Sequence, residues 1–173
     1  MPSSAAENRP AILVVDNDFH TCQVLRHILE QAGYETAVFT DPRAVDPEAV
    51  AWCYALAVLD FAMPGMTGID LFRKIRKYDP VIEAVILTGQ ADYEDAVDGY
   101  RAGIASWVVK PWKKEFLLAE IARVLSKQQA LLTRLHEEFQ ALDSEKIRAR
   151  LKLAEAVANA TKEQIQTFRQ NQG

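Results

Sequence analysis

The chain has 173 residues, of which 49% are hydrophobic and 25% are charged, so it is long enough and apolar enough to bury a core. Its formal net charge of -4 argues against a general nucleic-acid-binding surface. Its two cysteines, Cys22 and Cys53, have no metal-ligand spacing, exclude a disulfide framework and indicate free thiols in a reducing compartment.

The chain begins with a polar segment, residues 1–9, that lacks the apolar stretch found in signal peptides. We expect this segment to be disordered. No later stretch approaches the length of apolar sequence that spans a membrane. These features predict a soluble cytoplasmic protein that does not bind a membrane.

Residues 11–125 alternate between strand-like and helix-like segments with a period of roughly 25 residues, which is typical of β-α-β units. Four segments are almost continuously apolar, as strands are when helices cover both faces of a parallel sheet. They are Ala11–Val15, Ala55–Leu59, Ala84–Leu87 and Ser106–Val109. A fifth segment, Tyr34–Phe39, alternates more strongly and is expected nearer to an edge of the sheet.

Apolar residues at helical spacing predict helices between these strands. The first helix is expected to stop at Gly33, a third helix before Asp79-Pro80, and a more polar helix spans Ala91–Ala102. Asp41-Pro42 and Asp46-Pro47 predict turns around a short second helix.

No glycine or proline interrupts residues 112–172, and apolar residues there form two seams at heptad-like spacing. The first seam is Leu125, Leu132, Leu135, Phe139 and Leu142, and the second is Ile147, Leu151, Ala154, Ala158, Thr161, Ile165 and Phe168. The irregular step between the seams contains Asp143-Ser144, which suits a helix N-cap. We therefore expect either one long helix with a discontinuity or two helices that fold back on each other.

These patterns predict a domain over residues 10–126 and a helical extension over residues 127–173. A continuous helix would be about 85 Å long at about 1.5 Å per residue, which favours homodimerisation as a coiled coil over packing on its own domain. The helical pattern reaches the last residues, as in a linker to an effector domain outside this chain. Residues 126–173 carry 8 Lys or Arg and 6 Asp or Glu, an excess too small to predict direct nucleic-acid binding.

Polar residues follow four of the predicted strands at the point where each strand ends. They are Asp16-Asn17-Asp18, Asp60, Thr88 and Lys110. Right-handed crossovers bring the carboxyl ends of parallel strands to one rim of the sheet, where ligands of open α/β sheets bind. We therefore expect these side chains to lie close together.

This set of residue types suits phosphoryl transfer. Clustered carboxylates repel each other unless a cation is bound, and Mg²⁺ binds one or two carboxylates together with waters and phosphate oxygens. A lysine and a hydroxyl then suit the remaining phosphoryl oxygens. We predict Asp60 as the nucleophile, because the Pro- and Gly-containing loop of residues 61–68 offers backbone groups beside it.

Four motifs together resemble the receiver domain of two-component response regulators. They are ILVVD at residues 12–16, VLDFAMPGMTG at 58–68, LTG at 87–89 and WVVKP at 107–111. They occur in the order and spacing of that family, and the resemblance covers about residues 10–126. It implies an α/β, flavodoxin-like (βα)5 fold with a five-stranded parallel sheet in the order 2-1-3-4-5.

The resemblance also implies roles for individual residues. Asp60 would accept a phosphoryl group from a histidine of a sensor kinase or phosphotransfer protein, and Lys110 would contact that group. The Lys110–Pro111 peptide bond would be cis. Thr88 would turn toward phosphorylated Asp60 and draw in Trp107 as the switch aromatic. Apart from this phosphoryl transfer and the dephosphorylation of Asp60, no turnover activity is evident.

The metal ligands implied by the resemblance to Mg²⁺-binding receivers are Asp16, Asn17, Asp60 and the backbone carbonyl of Ala62. The family usually has two adjacent acids after its first strand, and Asn17 stands in place of the second. Asn17 still offers an amide oxygen, but it removes one negative charge from the site. Asp18 suits an N-cap of the first helix as well as it suits a metal role.

Two alternatives remain at this point. Asp16 and Asp18, with Thr88 and Lys110, also resemble the first motifs of haloacid-dehalogenase-type phosphatases, in which Asp16 would be the nucleophile. The further acidic motif of that family is missing after Lys110. Asn17 is also compatible with a pseudo-receiver, a scaffold that signals without phosphorylation. His136 loosely resembles the phosphorylated histidine of a kinase helix, but the residues after it do not match.

Overall fold

The computed structural model describes residues 10–89, 93–141 and 152–153 and contains a parallel sheet with helices on both faces. In chain order the elements are β1 (Ala11–Val15), α1 (Phe19–Gln31), β2 (Glu35–Phe39), a 3-10 turn (Pro42–Ala44), α2 (Pro47–Val50), β3 (Leu56–Asp60), β4 (Ala62–Met63), β5 (Met66–Thr67), α3 (Gly68–Arg76), β6 (Glu83–Thr88), α4 (Tyr93–Ala102), β7 (Ser106–Val109) and α5 (Lys114–Ala141).

The five long strands pair in parallel in the order β2-β1-β3-β6-β7. Strands β4 and β5 pair only with each other, so the order of the long strands is the predicted order 2-1-3-4-5, and that prediction is confirmed. The edge position predicted for the second strand is also confirmed. Residues of β2 are partly or fully exposed, whereas every residue of the central strand β3 is buried.

Alternate residues of each strand face two separate hydrophobic clusters, because successive side chains of a strand point to opposite faces. Leu13 and Val15 of β1 belong to a cluster that α3 completes with Leu71, Phe72 and Ile75. Ile12 and Val14 belong to a second cluster, which is completed by residues of α1 and α5. Burying one such Leu or Ile fully stabilises the fold by about 1.5–3 kcal/mol.

Aspartates begin several helices because their carboxylates accept the free backbone N–H groups of the first turn. Asp18 caps α1, and Asp46 caps α2. Asp41-Pro42 and Asp46-Pro47, which predicted turns around a short second helix, each begin a short helical segment: the 3-10 turn and α2. In both pairs the proline occupies the first turn, where its missing N–H has no helical partner.

Asp79, which was expected only to follow the end of the third helix, is buried and links two loops. Its side chain is 1% exposed. It accepts backbone N–H groups from Trp52 at 2.9 Å and from Val81 and Ile82 at 3.1 Å each. These bonds tie the loop before β3 to the loop before β6, and they hold the exposed Trp52 at a φ of 65°.

The loop after Asp60 contains a small hairpin that the sequence did not predict. Strands β4 and β5 pair in antiparallel fashion around Pro64-Gly65. Gly65 has a φ of +80°, a conformation that glycine adopts without a steric penalty. The hairpin leads directly into α3, whose first turn is closed by a capping box between Thr67 and Asp70.

The chain divides into two compact units, Met1–Gln128 and Gln129–Gly173. In the first unit, Gln128 is buried and donates to the backbone carbonyls of Ala55 and Val81 at 3.0 and 2.7 Å. In the second unit, Leu132 and Leu135 of the predicted first seam are 36% and 50% exposed. The segment 1–9, the discontinuity at residues 143–144 and the second seam lie outside the described residues. No helix within the described ranges is long and apolar enough to cross a membrane.

Candidate phosphoacceptor site

Asp60 is the last residue of β3 and is 7% exposed at the carboxyl rim of the sheet. Its backbone is held between neighbours, because Phe61 N–H donates to Leu87 O at 2.7 Å and Gly68 N–H donates to Phe61 O at 3.0 Å. A Cβ atom on Gly68 would overlap the carbonyl of Asp60. Only glycine therefore lets α3 begin this close to the end of β3.

Lys110 joins the two buried carboxylates of the rim. Its Nζ lies 2.8 Å from Asp16 Oδ2 and 2.6 Å from Asp60 Oδ1. Lys110 N–H also donates to Thr88 O at 2.7 Å, which fixes the backbone beyond β7. The Lys110–Pro111 peptide bond is cis, the isomer that the family resemblance implies.

Burial and pairing act against each other on the ionisation of this cluster. Burial raises the pKa of the Asp60 carboxyl above its ordinary value of 3.8, and the Asp16 charge raises it too, while pairing with Lys110 lowers it. Burial lowers the pKa of Lys110, but the hydrogen bonds and charges of both carboxylates outweigh it and raise that pKa overall. The three groups together carry one net negative charge, which leaves them able to attract a further cation.

The carboxylates after β1 have different positions. Asp16 is 1% exposed, and its Oδ1 accepts the Asp18 N–H at 2.8 Å. The Asp18 carboxylate is exposed and caps α1, accepting His20 N–H at 3.0 Å, Thr21 N–H at 3.3 Å and Thr21 Oγ1–H at 2.7 Å. The Asp18 side chain therefore caps α1, whereas the Asp16 side chain belongs to the cluster with Lys110 and Asp60.

The oxygen atoms around the rim fit a hard divalent cation. Asp16 and Asp60 have buried carboxylates, Asn17 is exposed and has an amide oxygen, and Ala62, two residues after Asp60, has a backbone carbonyl. Mg²⁺ is commonly bound by one or two carboxylates with waters completing its shell, so two carboxylates suffice. In the described part of the chain, no group of three or more His, Cys, Asp or Glu residues forms a potential metal site.

The two predicted switch residues lie on neighbouring strands. Thr88 is the last residue of β6 and is 1% exposed. Trp107 of β7 pairs in register with Ile86 of β6, and both Trp107 and Phe61 are partly buried against the cluster that contains Leu13 and Val15. The rings of Trp107 and Phe61 lie 5.8 Å apart between centroids, at 50°.

The structure brings together most, but not all, of the residues that the sequence singled out. His136 is exposed on α5 and belongs to the second unit, whereas Asp16, Asp60, Thr88 and Lys110 belong to the first. Cys22, which the sequence left as a free thiol, donates its S–H to Asp16 O at 3.1 Å and so supports the rim from α1. Its spacing from Asp16 is the only sequence signal for that contact.

The family of the chain is shown by comparison with known proteins. The family model described as the response regulator receiver domain matches residues 12–122. The chain therefore belongs to the response regulator receiver family and is a receiver of two-component signalling. This assignment gives no support to the interpretation as a haloacid-dehalogenase-type phosphatase.

Curated relatives contain this region as part of longer proteins. VanRB, a regulatory protein of Enterococcus faecalis, is 31% identical over a match of 139 residues, and the match covers 76% of this chain and 63% of VanRB. MtrA, a DNA-binding response regulator of Mycolicibacterium smegmatis, is 34% identical over 121 residues, 70% of this chain and 53% of MtrA. DctD, a C4-dicarboxylate transport transcriptional regulatory protein of Pseudomonas aeruginosa, is 29% identical, and the match covers 76% of this chain and 28% of DctD.

Solved receiver structures share the fold. A CheY-like receiver domain from Methanospirillum hungatei has a TM-score of 0.67 and 29% identity, with 71% of this chain and 98% of that chain covered. The chemotaxis protein CheY4 of Vibrio cholerae has a TM-score of 0.63 and 29% identity, with 68% and 99% covered.

Proposed function

We propose that Asp60 accepts a phosphoryl group from a histidine of a sensor kinase or phosphotransfer protein. The observation that supports this best is the bridge from Lys110 Nζ to Asp16 and Asp60, at 2.8 and 2.6 Å. This bridge keeps a buried carboxylate ionised at the open rim of the sheet, where a donor can approach it.

In the proposed step, a carboxylate oxygen of Asp60 forms a bond to phosphorus while the bond from phosphorus to the donor nitrogen breaks. The nitrogen retains the electron pair of that bond and takes up a proton. Lys110 stays beside the transferred group and balances the charge of its oxygens. The Thr88 hydroxyl, at the end of the adjacent strand, is a second group for those oxygens.

Mg²⁺, when bound, neutralises charge on the transferred phosphoryl oxygens. We propose that Asp16, Asp60, Asn17 and the Ala62 carbonyl hold it. The cluster of Asp16, Asp60 and Lys110 has one net negative charge, and Asn17 adds none. This chain is therefore expected to bind Mg²⁺ more weakly than a receiver with a second acid at that position.

The test is incubation of the full chain with acetyl phosphate and Mg²⁺, followed by intact mass spectrometry and peptide mapping. The parent chain is expected to gain one phosphoryl group, and Asp60→Asn to gain none. Asp18→Asn is the matched control, because asparagine also caps helices and the residue lies outside the cluster. It should be labelled like the parent.

Each of the other outcomes supports a different interpretation of the chain. A parent chain that gains no phosphoryl group would be a pseudo-receiver that signals without phosphorylation. A label that persists in Asp60→Asn and maps to Asp16 would refute the assignment of the nucleophile.

We also propose that residues 10–126 act as the receiver and residues 127–173 as a helical extension. The exposed Leu132 and Leu135 support a homodimer through that extension. Because this chain spans 53% of MtrA and 28% of DctD, an effector beyond the extension is a natural recipient of the signal. We propose a cytoplasmic chain that does not itself bind nucleic acid.

A further inference from the structure

Gly99 makes room for the switch tryptophan. It is a buried residue inside α4, and a Cβ atom built there would overlap Cζ2 of Trp107 and lie 3.1 and 3.3 Å from its Cε2 and Nε1 atoms. Glycine in a helix interior costs about 1 kcal/mol relative to alanine. Its presence here is therefore unfavourable for α4 and is accounted for by the indole that occupies the space.

The same indole contacts the neighbour of the phosphoacceptor. Phe61 follows Asp60 directly, and its ring centroid lies 5.8 Å from that of Trp107. The indole thus lies between the residue after Asp60 and the glycine of α4. The three heavy atoms nearest to a Cβ at Gly99 all belong to the Trp107 indole, so rotation of Trp107 would change the packing at this point of α4.

Two arginines of α3 hold α4 in this position. Arg73 pairs with the carboxylate of Asp98, the residue before Gly99, and its Nη2 also lies 3.5 Å from Asp98 O. Arg76 Nη1 donates to Ala102 O at 3.4 Å and to Gly103 O at 3.1 Å. The first of these contacts adjoins Gly99, and the second secures the end of the helix.

We propose that Gly99 provides the space in which the Trp107 indole packs, here called the Trp107 seat, and that the Arg73–Asp98 ion pair holds this part of α4 in place. As a result, α4 and Trp107 change position together. Gly99, Arg73 and Asp98 are positioning residues, because none of them touches the carboxylate cluster. The seat belongs to the unphosphorylated chain. Its release on phosphorylation rests on the proposed function of Asp60.

Tryptophan fluorescence tests the seat directly. The chain has three tryptophans, so Trp52→Phe with Trp112→Phe leaves Trp107 as the only emitter. In this background, without any phosphoryl donor, Gly99→Ala should shift the emission of Trp107 to longer wavelength and increase its quenching by acrylamide several-fold. Asp98→Asn should act in the same direction with a smaller change. Asp41→Asn, which weakens an ion pair with Arg43 and keeps a capping side chain, should change neither signal.

A second comparison separates a lost seat from general damage. Gly99→Ala is expected to lower the unfolding temperature in the chain with Trp107, and much less in a Trp107→Phe chain, whose smaller ring leaves room for the methyl group. An equal decrease of the unfolding temperature in both chains would refute the packing of Trp107 in the space at Gly99. Unchanged quenching in Asp98→Asn would overturn the role of the ion pair, and this variant decides that role even if Gly99→Ala fails to fold.

Addition of acetyl phosphate and Mg²⁺ extends the test to signalling. Asp98→Asn should complete the Trp107 change at several-fold lower donor concentration than the parent, because the ion pair no longer opposes it. Absence of labelling in every chain would refute the proposed function and leave the donor-free quenching result standing. Labelling without this shift would refute the coupling alone.

Discussion

One ammonium group balances two carboxylates at the rim of the sheet. Lys110 is 27% exposed, whereas the side chains of Asp16 and Asp60 are 1% and 10% exposed. Water therefore screens the lysine more than it screens either acid. Such a cluster is poor for stability, because the charge it leaves uncompensated is buried, and it is suited to binding a cation and a phosphoryl group.

The ionisation of Asp60 should therefore be visible in stability. Because burial raises the pKa of Asp60, its charged form destabilises the fold at neutral pH, and that penalty disappears as pH falls through this raised pKa. Asp60→Asn should increase the free energy of unfolding at pH 7, because it removes this penalty. Urea unfolding should show that the gain shrinks toward zero by about pH 4.

The matched control, Asp98→Asn, is expected to change the stability at neutral pH in the opposite direction. Pairing with Arg73 lowers the pKa of Asp98, so Asp98→Asn should lose a little stability at neutral pH and recover it in acid. A loss of stability in Asp60→Asn at pH 7 that shrinks on acidification would mean that pairing with Lys110 outweighs burial at Asp60.

Asn17 offers the clearest single-residue test of the metal site. Asn17→Asp restores a second acid beside Asp16 and makes the cluster more negative, so Mg²⁺ should bind about tenfold more tightly, a change of about 1.4 kcal/mol. Isothermal titration with Mg²⁺ measures this directly. In Asp18→Asn, where the side chain caps α1, the affinity should change far less. If Asp18→Asn weakens Mg²⁺ binding as much as Asn17→Asp strengthens it, the effect is one of general charge, and Asn17 has no role as a ligand.

At the scale of elements, the junction of β3 and α3 positions Asp60. A Cβ atom on Gly68 would overlap Asp60 O and lie 3.2 Å from Ile86 Cδ1, so neither neighbour yields cheaply. Gly68→Ala should destabilise the fold by about 1–3 kcal/mol in urea unfolding and slow labelling of Asp60. Gly89→Ala is the matched control, since nothing lies within 4 Å of a Cβ there. Equal stability in both variants would show that α3 adjusts freely.

The sheet was predictable because most of its strands are short, almost continuously apolar runs, as expected when helices cover both faces of a parallel sheet. Ala11–Val15 and Ser106–Val109 have the predicted bounds, and the other strands differ by a residue at one or both ends. The rim followed from strand direction alone, so Asp60 and Lys110 could be placed near each other before any contact was known.

The sequence contains no comparable pattern that predicts contacts between side chains far apart along the chain. The space at Gly99 depends on the size of Trp107, and the burial of Asp79 depends on three N–H groups from two loops. From local sequence, a polar residue before proline predicts a turn, and a lone glycine in a helical pattern predicts a less stable helix. Their roles arise only after the elements pack.

For the molecule as a whole, the extension is the part of the chain through which we propose that two copies associate. Leu131, Leu132 and Leu135 of the second unit are 54%, 36% and 50% exposed, so this part of α5 has apolar side chains without cover in the described residues. Exposed leucines at such spacing are typical of a helix that packs against a partner helix. A second copy of the chain supplies the same apolar face.

Replacing Leu132 and Leu135 together by lysine should convert the dimer into a monomer in sedimentation or light scattering, because like charges would meet in the interface. Gln129→Lys with Thr133→Lys places two lysines at exposed polar positions of the same helix and should leave the dimer intact. Labelling of Asp60 should be equal in both double variants, since neither changes the carboxylate cluster. A parent chain that is monomeric with and without phosphorylation would refute dimerisation through the extension and leave the receiver site unaffected.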